Sequence, residues 1–175
     1  MALEIAGLIE DLQDRFRPLQ ARLFPRQVLL ELRDDGIQGQ VLADGVPGKV
    51  RFEAPLPPLT CRNGMPLERE PIGDLIGDLM VRDSLMEAFV MAALPPAAAA
   101  WRVVEWPSGF AMPEDPIEAV RELDPDILRL PFALSEAVID IRPIPGSPST
   151  AMLAASSRQV VDAWIQVFNH AGARL

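Results

Sequence analysis

The chain has one histidine and one cysteine, and what surrounds each decides the chemistry open to it. A nucleophile needs a base beside it. His170 falls in the last turn of a predicted C-terminal helix, where an imidazole suits the helix dipole, so it reads as structural. Cys61 has no CxxC partner, lies in a proline-rich stretch, and as the single cysteine forms no intramolecular disulfide. Zinc needs about four nitrogen or sulfur donors, more than one His and one Cys supply. The carboxylate pairs Asp34/Asp35, Glu114/Asp115 and Asp124/Asp126 all abut Gly or Pro, where Asp bonds its own backbone in turns and caps. None continues as a calcium loop. Neither a P-loop nor a GxGxxG is present to cradle phosphate. The residues therefore predict no catalytic group, metal or cofactor: a partner-binding protein, not an enzyme.

Charge narrows the partners. A net charge of -9 opposes nucleic acid and anionic lipid, which need clustered Lys and Arg. The most apolar run, Ala88 to Trp101, is short for a membrane span and is broken by Pro95 and Pro96. No secretory signal pattern opens the chain. The expected location is the cytoplasm, with any contact to the inner membrane made through partners.

The elements that position these residues follow from periodicity. Ile5, Leu8, Ile9, Leu12, Phe16, Leu19 and Leu23 line one face of a predicted helix over 2–23, which Pro25 ends. That stripe can pack on its own chain, the default, or pair with a second copy or fill a partner's groove. Val28–Leu32 and Ile37–Leu42 read as strands around a tight Asp-Gly turn, and Lys49–Ala54 as a third after the turn at 43–48. Pro55 to Pro66 holds too many breakers for a regular element. Its Pro-Leu-Pro-Pro-Leu reads as an ordered linker ahead of a polyproline ligand. A helix from Pro71 carries Ile72, Leu75, Ile76, Leu79 and Met80. Met86–Leu94 and Trp101–Trp106 are strand-like, and Asp115-Pro116 opens a short helix to about Leu123. Ala137–Ile144 and Ser149–Ala155 form a hairpin. The last helix starts near Ser157, should bury Val160, Val161, Trp164, Ile165 and Phe168, and closes at Gly172.

Three stretches in order resemble the type IV pilus assembly protein PilM family, actin-like relatives of FtsA. Val28 to Leu42 is similar to the family's opening hairpin, whose nucleotide-contacting turn reads Asp-Ile-Gly-Ser-Ser followed by Val-Lys. Here the turn reads Glu31-Leu32-Arg33-Asp34-Asp35-Gly36-Ile37-Gln38. Leu130-Pro131-Phe132-Ala133-Leu134-Ser135-Glu136 leading to Val138-Ile139-Asp140 resembles Ile-Pro-Phe-Pro-Leu-Glu-Glu before a Val-Leu-Asp strand, the most specific match. Met152 to Gly172 resembles the family's strand, Ala-Pro-Arg-Glu-Val-Val helix and closing Ala-Gly-Leu.

The resemblance covers about 28–175 and corresponds to the front portion of the family, without its second half. It implies an α+β fold of antiparallel sheets with packed helices, like the 1A/1C (SHS2-like) part of an actin-like ATPase. The expected divisions are an N-terminal helix (1–24), a partial 1A subdomain (25–84) and a 1C subdomain (85–175). It implies a scaffold that binds a cytoplasmic peptide of the membrane protein PilN, in contact with pilus motor ATPases, with the N-terminal helix a route to homo-oligomers. Nucleotide binding is not expected to carry over. The turn at Glu31, Asp34, Asp35 and Gly36 sets carboxylates, not small polar groups and a Lys, against a polyphosphate, and the opposite lobe of the cleft is missing. Two rivals are a degenerate actin-like nucleotide switch completed by a second chain, and a related secretion-system domain that contacts a motor ATPase.

Overall fold

The computed structural model describes residues 26–43, 46–106, 113–123 and 125–175. The predicted helix over 2–23 lies outside them. Three strands follow in a meander, β1 (Gln27–Leu32), β2 (Gly36–Ala43) and β3 (Val46–Pro55). β3 starts three residues earlier than Lys49, so Val46–Gly48, expected in the turn, are strand. Next come a two-residue hairpin, β4 (Cys61–Arg62) and β5 (Met65–Pro66), and helix α1 (Arg69–Arg82). β6 (Phe89–Ala93), a 3-10 turn at Pro96–Ala98 and β7 (Ala99–Glu105) lead to helices α2 (Pro116–Arg121) and α3 (Pro125–Leu128). β8 (Ala137–Ile144), β9 (Ser147–Ser157) and α4 (Arg158–His170) complete the order.

The first sheet runs β3-β2-β1-β6. β6 crosses over to pair parallel with β1, with Val28 opposite Val90. The meander read from the sequence is thus part of a mixed sheet. Alternation along β1 sends Val28, Leu30 and Leu32 inward, where they meet Ile37, Phe52 and Val90 and the buried faces of α1 and α4. Phe52 lies across Gly39, its cross-strand partner, so closely that any Cβ there would meet the ring at 2.3 Å. α1 begins two residues before Pro71 and buries Ile72, Ile76, Leu79 and Met80, as the stripe predicts.

The stripe of α4 is rotated from the expected one. Val160, Ala163, Trp164, Val167 and Phe168 are buried, while Val161 is only partly covered and Ile165 is exposed. The helix packs against both α1 and the β5 hairpin, and this two-sided seat turns Ala163 and Val167 inward. Ser157 Oγ accepts the Val160 N–H at 3.3 Å to cap its start, and Gly172 (φ 69°) ends it.

The second sheet, β7-β9-β8, is antiparallel throughout. Val104, Ile141, Ala151, Leu153 and Ala155 face a separate core completed by Val120 and Leu128 from the short helices. Asp115 caps α2 by accepting the Ile117 and Glu118 amides. Leu130, Phe132 and Leu134, from the Leu-Pro-Phe stretch, pack on this core's rim. Arg102 on β7 donates to the carbonyls of Leu128 (2.7 Å) and Arg129 (2.6 Å), fastening the end of α3 to the sheet. The first core therefore draws on 27–98 and again on 157–171, and the second is built from the residues between.

Gly73 and Gly77, one turn apart on α1, let α4 approach. A Cβ on Gly73 would sit 2.7 Å from His170 Cδ2 and 3.0 Å from the Val167 carbonyl, whereas one on Gly77 would make ordinary contact at 3.4 Å. Alanine favours an isolated helix over glycine by about 1 kcal/mol at either site. Opposite signs are expected. Gly77→Ala should stabilise by about 0.5–1 kcal/mol, and Gly73→Ala should destabilise by about 1–3 kcal/mol through overpacking, both read by urea denaturation.

Candidate functional site

The β1–β2 turn holds Glu31, Asp34, Asp35 and Gly36, the residues that the family resemblance puts at a nucleotide-contacting turn. The Arg33 amide donates to the Gly36 carbonyl at 2.9 Å, and the Leu56 amide donates to the Asp35 carbonyl at 2.9 Å. Asp34 and Asp35 occupy the reversal, and Gly36 is the first residue of β2. Gly36 does not adopt a left-handed φ, so this is not the Asp-Gly turn expected. A Cβ there would lie 3.1 Å from the Ala54 carbonyl, so closeness to β3, not a positive φ, favours glycine.

Asp34 does not bond its own turn either. Its Oδ1 accepts the Gly64 amide at 2.7 Å and the Cys61 thiol at 3.6 Å, latching the turn to the β4–β5 hairpin thirty residues on. The stretch 55–66, expected to lack regular structure, forms this hairpin because Asn63 (φ 50°) and Gly64 (φ 77°) both take left-handed conformations. Asn-Gly between short strands was the signal available in the sequence, masked by the prolines around it. The Gly64 carbonyl in turn accepts Trp164 Nε1–H at 2.8 Å. Neither contact is visible in local sequence.

Beside the latch lies an open cleft of about 350 Å³ lined by Arg33, Asp35, Gly36, Ile37, Glu53, Ala54 and Pro55. Among these lining residues Arg33 is the one cation against two carboxylates. Its guanidinium is engaged with Glu31 at 3.6 Å and Gln38 Oε1 at 3.1 Å. Glu31, Asp34, Asp35 and Gly36 thus cluster in space, with Asp34 turned to the hairpin and Asp35 to the cleft. Such a cleft favours a cationic or neutral group over a phosphate. His170 sits far along the chain, at the end of α4, with Nε2 2.9 Å from Asp74 Oδ1 on α1. Among the described residues no group of three or more His, Cys, Asp or Glu is placed to hold a metal, and no helix is long and apolar enough to cross a membrane.

The fold is similar to that of a pilus-assembly complex. A chain of the PilM–PilN type IV pilus biogenesis complex matches over 85% of this chain with a TM-score of 0.67 and 20% identity. This chain spans 45% of that one. The cytoplasmic domain of EpsL, an inner-membrane component of the type II secretion system of Vibrio cholerae, matches over 85% of this chain and 54% of its own, with a TM-score of 0.49 and 13% identity. No family model matches the sequence, and no curated protein matches it. The likeness to PilM–PilN establishes the α+β architecture read from the sequence.

Burial first, then the Asp34 charge and hydrogen bond, push the Cys61 thiol from 9.0 up to about 12. The folded thiol keeps its proton where the unfolded one loses it, so this contribution to stability is full below about pH 9 and declines as pH rises toward 12. Iodoacetamide at pH 8 should modify Cys61 at least about a hundredfold more slowly in the folded chain than in urea. Asp34→Ala should cost about 1–3 kcal/mol by leaving the Gly64 amide unpaired, measured by chemical denaturation.

Proposed function

We propose that this chain is a non-catalytic scaffold of a type IV pilus assembly machine that binds an extended cytoplasmic segment of an inner-membrane PilN-like protein. The observation that carries the reading is the fold likeness to the PilM–PilN complex across 85% of the chain. Two features support it. The acid-lined cleft at the β1–β2 turn is poorly suited to a polyphosphate. The second sheet also turns apolar side chains outward: Trp101 is 58% and Val103 61% exposed on β7, with Met152 opposite Val103 on β9. Exposed apolar rows of this kind mark surfaces that meet another polypeptide.

The other tryptophans, Trp106 and Trp164, are buried, so Trp101 dominates any change in fluorescence on binding. Titration with the N-terminal cytoplasmic segment of the cognate PilN-type protein is expected to give saturable heat in calorimetry, and no heat at hundreds of micromolar peptide would sink the reading. A blue-shifted emission in the same titration would place the segment near Trp101. Mg-ATP under the same conditions is expected to give no saturable signal. A tight ATP isotherm would favour the nucleotide-switch alternative, in which the turn at Asp34–Gly36 still grips phosphate.

A further inference from the structure

The edge strand of a sheet is a template for another chain, and proteins guard such edges with proline, lysine or a bulge. In the first sheet the edge strand β3 carries Pro47, Lys49 and Pro55. The opposite edge, β6, is met by the chain itself, where the Val90 amide donates to the Arg174 carbonyl at 2.7 Å. In the second sheet β8 carries Pro143, which has no amide proton, and a register shift beside it. β7, which runs Ala-Ala-Trp-Arg-Val-Val-Glu, has none of these devices, and among the described residues β9 is its one strand neighbour.

The register fixes which backbone groups of β7 point away from β9. The Trp106 amide, just past the strand, donates to the Ser149 carbonyl at 2.9 Å, so Arg102 and Val104, in step with it, also bond β9. Trp101, Val103 and Glu105 alternate with these and turn their N–H and C=O groups to the other side. The Trp101 carbonyl accordingly accepts from the Arg102 side chain at 2.7 Å. Trp101 and Val103 also put their side chains on the outward face, where both are exposed. The same residues thus offer backbone hydrogen bonds and apolar surface together.

We propose that β7 receives an extended segment of the partner protein as a fourth strand of the second sheet, an inference that rests on the scaffold reading above and names where and how the segment is held. The occupant is extended because N–H and C=O groups along an edge are met by another strand, whereas a helix satisfies its own. Alternate residues of the segment pack beside Trp101 and Val103, which calls for an apolar residue at every second position. Glu105 at one end of the row, on a chain of net charge -9, favours a Lys or Arg next to them. The row from Trp101 to Glu105 is about 14 Å long, enough for about five residues of added strand.

The test titrates the 175-residue chain with the N-terminal cytoplasmic segment of the cognate PilN-type protein and follows hydrogen exchange by mass spectrometry. Exchange over 99–105 is expected to slow about tenfold or more on binding. Val103→Pro removes one edge amide at a strand position that tolerates proline, and is expected to weaken binding about tenfold. Should that variant disturb the sheet, two segments N-methylated at alternate residues, one in each phase, decide instead. One phase is expected to bind at least about tenfold more weakly than the unmodified segment and the other about equally, since every second amide of an added strand faces β7. Saturable heat with unchanged exchange over 99–105, or equal affinity of the two phases, would overturn the strand addition and leave the scaffold reading standing. No heat with the unmodified segment would overturn both. Protection over 99–105 that grows with chain concentration, without any segment, would give the edge to a second copy and also overturn the proposal.

Discussion

The backbone of Gly64 is the point through which the described parts of the chain are tied together. Its amide is held by Asp34 from the β1–β2 turn, and its carbonyl holds the indole of Trp164 from the last helix. Its α-carbon lies so near Ala98 that a Cβ would come within 2.6 Å of that residue's backbone nitrogen. A left-handed φ and a missing side chain are both required, and only glycine offers them without strain. The first turn, the crossing to the second sheet and the returning helix are thus fixed relative to one small hairpin.

That constraint also shapes what the turn can do. A loop that receives phosphate presents free amides and nearby cations. Here one carboxylate of the turn is committed to Gly64 and Cys61, and the cation beside it is shared between Glu31 and Gln38. The turn acts as a brace. Such rigidity lowers the entropic cost of any association made at the surface it holds, because preorganised surfaces lose less entropy on binding.

Much of the architecture was legible because it rests on short-range rules. Alternation gave β1, β2, β8 and β9, helical spacing gave the buried face of α1, and Ser157 and Asp115 marked helix starts by their capping chemistry. What escaped was non-local. Nothing near Phe89 announces that it will lie parallel to Gln27, and the rotation of α4 comes from its seat between α1 and the β4–β5 hairpin. At the site, the identity of Asp34 was readable, but its partner was not, because the Asn63-Gly64 hairpin was hidden among prolines and the bond crosses thirty residues.

The pairing of Ala99 with Ser156 has a wider meaning. The chain leaves the first core and re-enters it at neighbouring positions, and Ser156 Oγ seals the doorway by donating to the Ala98 carbonyl at 2.7 Å. The whole intervening unit, with its own sheet and core, hangs from the parent fold by two strands about one sheet spacing, roughly 5 Å, apart. No strand is shared between this unit's sheet and the parent sheet, so each keeps its own pairings.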